Sequence, residues 1–318
     1  MKRFAHIAGA VLAILACGFF LLHLWKEHGA FATFAFTDSH ALFAFLVSSL
    51  LFLAIYPITG WVSARILADL RAPLRPSTLI GILSVSQIAR YIPGNIGQHL
   101  ARGAMLIARG VPASPAIVSL AFEALLALLV ACLLAGITLL LATTGISSPK
   151  AWAIVGIASL VTLILLALLL SRNRLLPAHL VERFSLGDAR CISWRTRGYC
   201  MAAYTLNYIL IGLGLYLVAS SVTHTSGSIW LFIGAFALAW TAGFLAPGLP
   251  AGLGVREGVL IVLLGPALGP GPALVVATIH RLSTAVGDLL AVLLGVMILW
   301  MDKRKPIPVP TAHPGELS

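Results

Sequence analysis

The sequence predicts an all-α polytopic membrane protein with an inverted-topology repeat, about six full spans and two re-entrant or broken helical hairpins. Three observations support this fold class. The 318 residues are 60% hydrophobic and only 10% charged, whereas about 25% of the residues in a soluble domain are charged. The apolar residues form runs that short polar segments separate. A Pro-Gly motif also recurs at a fixed distance in the two halves of the chain.

The repeated motif reads Pro93-Gly-Asn-Ile-Gly97 in the first half and Pro250-Ala-Gly-Leu-Gly254 in the second, an offset of 157 residues (250 − 93). The same offset carries further residues onto their counterparts without a gap: Pro115 onto Pro272 and Glu123 onto His280. A register held over about thirty residues indicates an internal duplication.

This duplication divides the chain into three parts. Membrane repeat 1 covers residues 1–143 and membrane repeat 2 covers residues 151–300. The remaining residues, 301–318, are rich in proline and polar side chains, so we predict a disordered tail.

The apolar runs give the candidate membrane segments. They cover residues 4–24, 40–62, 79–92, 113–143, 151–171, 198–220, 229–246 and 273–300. The first run continues past Cys17 and lacks a small-residue cleavage site at its end, so we predict an uncleaved first span rather than a signal peptide. The run at 40–62 is followed by a predicted basic loop with Arg65, Arg71 and Arg75.

The charges of the loops predict which side of the membrane each loop faces. Residues 172–197 carry six arginines against one glutamate and one aspartate, whereas residues 221–228 carry no Asp, Glu, Lys or Arg. Cytoplasmic loops are enriched in Lys and Arg, so the first loop is predicted inside and the second outside. The same rule places both chain termini in the cytoplasm.

Counting the crossings predicts one hairpin in each repeat. Residues 79–92 span only about 21 Å as a helix, which is shorter than a hydrocarbon core of about 30 Å. This segment must leave the cytoplasm and return to it, so its tip is predicted at residues 90–98. The corresponding tip in repeat 2, residues 247–258, enters from the opposite face, which makes the repeat inverted. The crossing count leaves open whether each limb stops midway or crosses fully.

Irregular backbone inside a membrane is tolerated where protein or a wet cavity satisfies its polar groups, and transporters build their substrate sites from such broken helices. Glycines let a head group approach the backbone, and the helix after each tip presents its N-terminus to an anion. The predicted substrate-binding residues of the tips are Pro93, Gly94, Asn95, Gly97, Gln98, Pro250, Gly252 and Gly254.

Ionisable residues in or beside the apolar runs complete the candidate site, because a charge at the bilayer centre costs at least ~2.5–3.5 kcal/mol. These residues are Arg90, Arg102, Glu123, Arg256, Glu257, His280, Arg281 and Asp288. For Arg102 and Asp288, an interfacial anchor is an equally good interpretation. Because the offset places Glu123 level with His280 and Arg281 in an inverted repeat, we expect these residues to pair or to share one ligand.

The residues of the tips resemble a known family. Arg90-x-x-Pro93-Gly-x-x-Gly97 and Pro250-x-Gly-x-Gly254-x-Arg-Glu-Gly258 look like the paired motifs of the membrane-domain family of lysylphosphatidylglycerol synthases. The resemblance implies a membrane domain that moves an aminoacylated phospholipid between leaflets. The chain stops at Ser318 without a soluble aminoacyl-transferase domain, so we do not expect it to synthesise the lipid.

Two functions from different classes remain open. The first is a flippase for a phospholipid or a lipid-linked sugar, in which the arginines of the tips hold a phosphate. The second is a membrane-embedded enzyme acting on a phosphorylated lipid carrier, with Glu123 or Glu257 as general base. A scaffold for an envelope complex is a third, weaker interpretation.

The expected partners follow from the flippase interpretation: the bilayer, an anionic phospholipid or lipid-linked glycan, and a second copy or envelope-synthesis enzymes. The net charge of +11 is carried by short segments that flank apolar runs, which argues against nucleic acid. The four cysteines have no metal-ligand spacing, and we predict neither a cofactor nor a metal.

Overall fold

The computed structural model describes residues 39–91, 97–141, 156, 192–223, 227–246 and 252–302. Within these ranges the regular structure is entirely helical, with eight α-helices and a 3-10 segment at Gln87–Tyr91. The α-helices are α1 Ser39–Asp69, α2 Pro76–Ser86, α3 Gly97–Ile107, α4 Ala113–Leu141, α5 Trp194–Thr223, α6 Ile229–Leu245, α7 Val255–Leu268 and α8 Pro270–Asp302.

Four of these helices, α1, α4, α5 and α8, are long and apolar enough to cross a membrane, and α6 is a shorter apolar helix. The prediction of an all-α polytopic membrane protein is therefore confirmed. The predicted span at 4–24, the span at 151–171 apart from residue 156, and residues 303–318 of the predicted tail lie outside the described residues. Residues 301 and 302, predicted to be part of the disordered tail, belong to α8.

The predicted end of the second apolar run, at residue 62, is too early. Helix α1 continues to Asp69, so Arg65 lies on a helix and not in a loop. The reason is that Ala64, Ile66 and Leu67 remain buried and extend the apolar face of α1 beyond residue 62. The connection to α2 is correspondingly short and includes Arg71 in the left-handed backbone region, with φ of 57°.

Each repeat is broken where the sequence predicts a hairpin tip. In the first half α2 tightens into the 3-10 segment, residues 92–96 follow, and α3 begins at Gly97. In the second half α6 ends at Leu245 and α7 begins after Gly254, whose φ of 82° favours glycine. The short helices α3 and α7 are therefore the return limbs of the two hairpins.

Small residues let the long helices approach closely. A Cβ added at Gly214 of α5 would lie 2.7 Å from Ser48 Oγ of α1, and one at Gly212 would lie 2.6 Å from Ile233 Cα of α6. Likewise, a Cβ at Gly81 of α2 would lie 2.7 Å from Leu299 of α8. Lipid provides no hydrophobic drive for helices to associate, so membrane proteins gain stability from close packing of this kind.

The order and spacing of the helices follow the predicted offset. Helix starts differ by 155 residues for α1 and α5 (194 − 39), 153 for α2 and α6 (229 − 76), 158 for α3 and α7 (255 − 97) and 157 for α4 and α8 (270 − 113). Helix α1 packs on α5, α2 packs on α8, and α4 packs on α6. This arrangement agrees with a duplicated unit whose copies exchange partners. The boundaries of the repeats and their inversion in the membrane stay predictions.

Candidate functional site

A cavity of about 140 Å³ lies between the first hairpin and helices α1, α4, α5 and α6. Its lining combines apolar and aromatic side chains with many polar ones. The polar and charged side chains of the lining are Tyr56, Thr59, Gln87, Arg90, Gln98, His99, Arg102, Glu123, Tyr204, Asn207 and Tyr208. Such a concentration of polar groups between apolar helices is typical of a ligand site in a membrane protein.

Four helices meet at an ion pair in the cavity wall. Arg102 of α3 donates to Glu123 Oε1 of α4 at 2.8 Å and to Ser63 Oγ of α1 at 2.5 Å. The Tyr204 hydroxyl of α5 donates to the other carboxylate oxygen at 3.2 Å. The Arg102 and Glu123 side chains are only 7% and 5% exposed, so the pair is largely removed from solvent.

A second ion pair joins the first hairpin to the last helix. Arg90 lies in the 3-10 segment, and its Nη1 is 3.2 Å from Asp288 Oδ2 of α8. Gln98 Oε1 accepts a hydrogen bond from Arg90 Nε at 3.1 Å, and the Tyr56 hydroxyl of α1 donates to Asp288. The guanidinium of Arg90 therefore bridges both sides of the hairpin tip to the second half of the chain.

The charges of the second tip form a separate cluster. Arg281 Nε of α8 lies 3.7 Å from Glu257 Oε1 of α7, a loose ion pair. Glu257 Oε2 also accepts the Gly254 N–H at 2.7 Å, so this carboxylate caps its own helix. Neither Glu257 nor Arg281 lines the cavity.

Arg256 is the unusual cation of this cluster. It is buried, with its guanidinium carbon 5.3 Å from the centre of the Phe236 ring, a cation–π contact. Gly243 and Gly252 leave the space that its side chain fills. Within the described residues, no carboxylate lies within ion-pair distance of Arg256. Phe236 also packs against Tyr208, with 6.5 Å between ring centres, so one aromatic ring separates Arg256 from the cavity wall.

His280 belongs to none of these three ion pairs. Its Nδ1 lies 3.4 Å from Ser48 Oγ, and its ring meets Phe236 edge to face. Its Nε2 is buried and has no hydrogen-bond partner in the described part of the chain. The structure therefore places His280 within the packing between α1, α6 and α8.

The structure thus divides the predicted site residues. Arg90, Gln98, Arg102 and Glu123 line the cavity, and Gly97 begins the helix that carries two of them. The second group does not line it and comprises Gly252, Gly254, Arg256, Glu257, His280, Arg281 and Asp288, although Asp288 reaches the cavity through Arg90. Pro93, Gly94, Asn95 and Pro250 lie outside the described residues.

The direct pair between Glu123 and Arg281, one of the two expected arrangements, is not formed. Each residue pairs instead with the return limb of its own repeat, Glu123 with Arg102 and Arg281 with Glu257. The physical reason is proximity, since a short return limb folds back beside the long helix that follows it. The other expected arrangement, a shared ligand, stays a prediction.

Sequence reasoning missed several polar residues of the lining, including Gln87, Tyr204 and Asn207. Asn207 carried a usable signal, because a carboxamide in the middle of an apolar run of membrane length is costly without a partner. A tyrosine in such a run is too common to single out, and Gln87 lies where an interfacial position was equally reasonable.

A cavity with buried ion pairs, enclosed by apolar helices of membrane length, defines a polytopic membrane protein with an internal polar site. The family model described as lysylphosphatidylglycerol synthase TM region matches residues 41–295. The chain belongs to this family, and a membrane lipid-related function follows from the membership. No curated protein sequence matches the chain significantly.

Proposed function

We propose that this protein is a lipid translocase of the bacterial inner membrane that moves a phospholipid or a lipid-linked sugar between the two leaflets. The observation that carries the proposal is the polar cavity beside the first hairpin, whose charged lining lies among apolar helices, three of them (α1, α4 and α5) long enough to cross a membrane. A head group needs such a polar environment to leave the membrane surface, whereas its acyl chains need none.

The buried ion pairs support a site that stays polar without a ligand. An unpaired charge in the bilayer is costly, but Arg102 and Arg90 are each compensated by a carboxylate and by further hydrogen bonds. The cavity can therefore persist between transport events. A lipid entering it exchanges hydrogen bonds with water for hydrogen bonds with the lining.

We propose that Arg256 meets an anionic element of the transported lipid when Phe236 leaves its place between Arg256 and the cavity wall. It is a buried cation with an aromatic ring beneath it and, in the described ranges, no carboxylate within ion-pair distance. A guanidinium matches a phosphate oxygen pair through two parallel hydrogen bonds. The N-terminus of α7 is less suited to this role, because Glu257 already occupies the Gly254 N–H.

The ion pair between Arg90 and Asp288 supports a conformational role for the first hairpin. Among the ion pairs of the described residues, it is the one that joins the two halves of the sequence. We propose that this contact breaks and re-forms as the cavity changes the leaflet to which it opens.

The test is a scramblase assay on the purified protein in vesicles of egg phosphatidylcholine that contain a trace of fluorescent phosphatidylglycerol. Dithionite bleaches label in the outer leaflet, so transport increases the bleached fraction beyond one half. We expect transport with the wild type and, because charge-assisted hydrogen bonds are lost, a reduction of about 10- to 100-fold for Arg256→Gln. Arg256→Lys recovers part of the rate.

Arg65→Gln is the matched control, since Arg65 is an exposed arginine near the end of α1 that contacts Trp61. It should transport like the wild type. Equal rates in vesicles with the wild type, with Arg256→Gln and without protein, for phosphatidylglycerol and for a fluorescent glycolipid, would contradict the proposed function.

A further inference from the structure

The charged residues of the described ranges form two groups. Eight of them lie at one end of the helix bundle, where α1 and α8 end and α2, α4 and α5 begin. They are Arg65, Asp69, Arg71, Arg75, Arg109, Arg195, Arg197 and Asp302. The other seven, which we call the interior charges, belong to the two hairpins and to the long helices that follow them. They are Arg90, Arg102, Glu123, Arg256, Glu257, Arg281 and Asp288.

The interior charges do not cancel. They comprise four arginines, two glutamates and one aspartate, which leaves one positive charge in excess. The predicted spans at 4–24 and 151–171 and the tip residues 92–96 and 247–251 contain no Asp, Glu, Lys or Arg. The rest of the predicted membrane segments therefore supplies no charge that would change this balance.

The excess charge belongs to Arg256. Each of the other three interior arginines has a carboxylate within ion-pair distance, whereas Arg256 has none in the described ranges. The charges that act on Arg256 come from two arginines and two carboxylates, which cancel one another, namely Arg90, Arg281, Glu257 and Asp288. The Phe236 ring offsets only part of the charge, because a ring quadrupole attracts a cation less strongly than a carboxylate does.

A ligand with one negative charge would balance the interior. A phosphodiester supplies this charge and matches a guanidinium through two parallel hydrogen bonds. A zwitterionic head group adds no net charge, and a cationic head group increases the excess, which is unfavourable between apolar helices. The balance therefore favours a monoanionic head group.

We propose that the transported lipid carries one net negative charge, as in a phosphodiester without an amine, and that it crosses the membrane with no accompanying cation. This inference rests on the proposed function and names the charge class of the substrate and the force that drives it. The compensating charge of Arg256 stays in the protein, so each lipid moves one negative charge across the membrane. A potential that is negative on one side drives the lipid to the other side.

The first test compares three dioctanoyl lipids at pH 8, where histidine is neutral. Phosphatidylglycerol and phosphatidylmethanol each carry one negative charge, with and without head-group hydroxyls, and phosphatidylcholine carries no net charge. Dissociation constants for the detergent-purified protein follow from the rise of its melting temperature with lipid concentration. We expect both anionic lipids to bind at least about tenfold more tightly than phosphatidylcholine.

Two results of this comparison would overturn the inference. Phosphatidylcholine bound as tightly as phosphatidylglycerol would show that net charge does not matter. Phosphatidylmethanol bound as weakly as phosphatidylcholine would show that hydroxyl groups, and not charge, select the lipid.

Variants test whether the balance of the interior charges sets this preference. Arg256→Gln and Arg281→Gln each remove one positive interior charge, so each should reduce the preference for phosphatidylglycerol over phosphatidylcholine to about twofold or less. Arg65→Gln is the matched control, because it removes an exposed arginine at the end of the bundle and should keep the preference. Retention of the preference by either interior variant would contradict the balance. The wild-type comparison decides the charge class even where a variant fails to fold.

The second test applies a membrane potential to the vesicles of the transport assay. A potassium gradient with valinomycin sets about 59 mV, negative inside, which corresponds to a tenfold ratio for one elementary charge. We expect labelled phosphatidylglycerol to redistribute until the outer leaflet holds about ten times as much as the inner leaflet. Labelled phosphatidylcholine should stay equally divided. The fast phase of dithionite bleaching after equilibration reports the division, and an equal division of phosphatidylglycerol would overturn the inference.

The outcomes separate this inference from the proposed function. Transport of phosphatidylglycerol that does not respond to the potential would leave the translocase and remove the crossing as an anion. Absence of transport at any potential would remove the translocase and the crossing together, and the binding comparison would still decide whether the site selects one negative charge.

Discussion

Each of the two hairpins is joined to the following long helix by an ion pair, and the acidic and basic residues of this pair exchange places between the two halves. In each half, one ion pair joins the return limb to the following long helix, with arginine on α3 and glutamate on α4 in the first half but glutamate on α7 and arginine on α8 in the second. The first pair is short, carries two further hydrogen bonds and lines a cavity. The second is looser and lies away from that lining.

This difference indicates that, in the predicted duplication, the order of the helices is kept while the charged pairs of the two copies differ in geometry and surroundings. The first pair holds four helices around a polar space, so its geometry has to be well defined. The second pair shares its carboxylate with a helix cap. Beside it, Arg256 is a buried cation that has no carboxylate at ion-pair distance in the described ranges. The comparison therefore predicts unequal consequences when the equivalent pairs are disrupted.

The largest effect is expected for Glu123→Gln. Arg102 would keep its charge in a nearly water-free position without a counter-charge, and removing one partner of a buried pair costs about 3–5 kcal/mol. Chemical unfolding followed by tryptophan fluorescence in detergent should measure this loss. Adding Arg102→Met to the same chain should restore part of the stability, and a double mutant less stable than Glu123→Gln would contradict the pairing.

A smaller loss is expected for Gly243→Ala in the second cluster. The added Cβ would collide with Cγ of Arg256 and lie near Gly252 Cα, and overpacking of this kind costs about 1–3 kcal/mol. The measurement is the melting temperature together with the transport rate. Gly136→Ala is the control, because a Cβ at Gly136 meets nothing within 4 Å. Equal stability of the two variants would show that Arg256 does not require the space at Gly243.

Glu257→Gln should cost less than Glu123→Gln, about 1.5–3 kcal/mol, because its carboxylate is buried but its ion pair is loose. The glutamine can still accept the Gly254 N–H, so the variant loses chiefly an ion pair with 3.7 Å between nitrogen and oxygen. The same unfolding experiment gives the value. A loss as large as that for Glu123→Gln would mean that the two copies are equivalent after all.

The smallest effect is the coupling between the two clusters. Glu123 and Arg281 have different partners in the structure, so the losses for Glu123→Gln and Arg281→Gln should add within about 0.5 kcal/mol. A double-mutant cycle of unfolding free energies measures the coupling, with Arg102 and Glu123 as the positive comparison. A strong coupling between Glu123 and Arg281 would restore the direct contact that the offset of the repeat suggested.

The sequence predicted the helices and the positions of both breaks because each depends on local composition. Apolar runs of sufficient length predict spans, and proline and glycine mark the ends of helices. The extension of α1 to Asp69 was missed, since Arg65 and Asp69 resemble a polar loop when the burial of Ile66 and Leu67 is unknown.

Only part of the candidate site could be predicted from the sequence, and the reason is different. The cost of charges in lipid predicts that Arg102 and Glu123 need partners. It does not predict which residues form the pairs. Pairing depends on the rotation of each helix and on where a short limb folds back, and neither is encoded in residue spacing. Asn207 and Gln87 required the cavity itself before their roles became visible.

The exchange of partners between the halves has a consequence for how the chain assembles. The Ser193 hydroxyl accepts the Thr196 N–H and so caps the start of α5. The Ser193 N–H donates at 2.8 Å to Asp69 at the end of α1, which lies 124 residues earlier in the chain. Helix α1 packs on α5, α2 packs on α8, and α4 packs on α6. Each long helix therefore has a major packing partner in the other half. We therefore expect that neither half folds stably by itself and that, during synthesis, the first half remains incompletely packed in the membrane until the second is made. Two separately translated halves should therefore reconstitute the protein by association, whereas either fragment alone would be left to the proteases of the membrane.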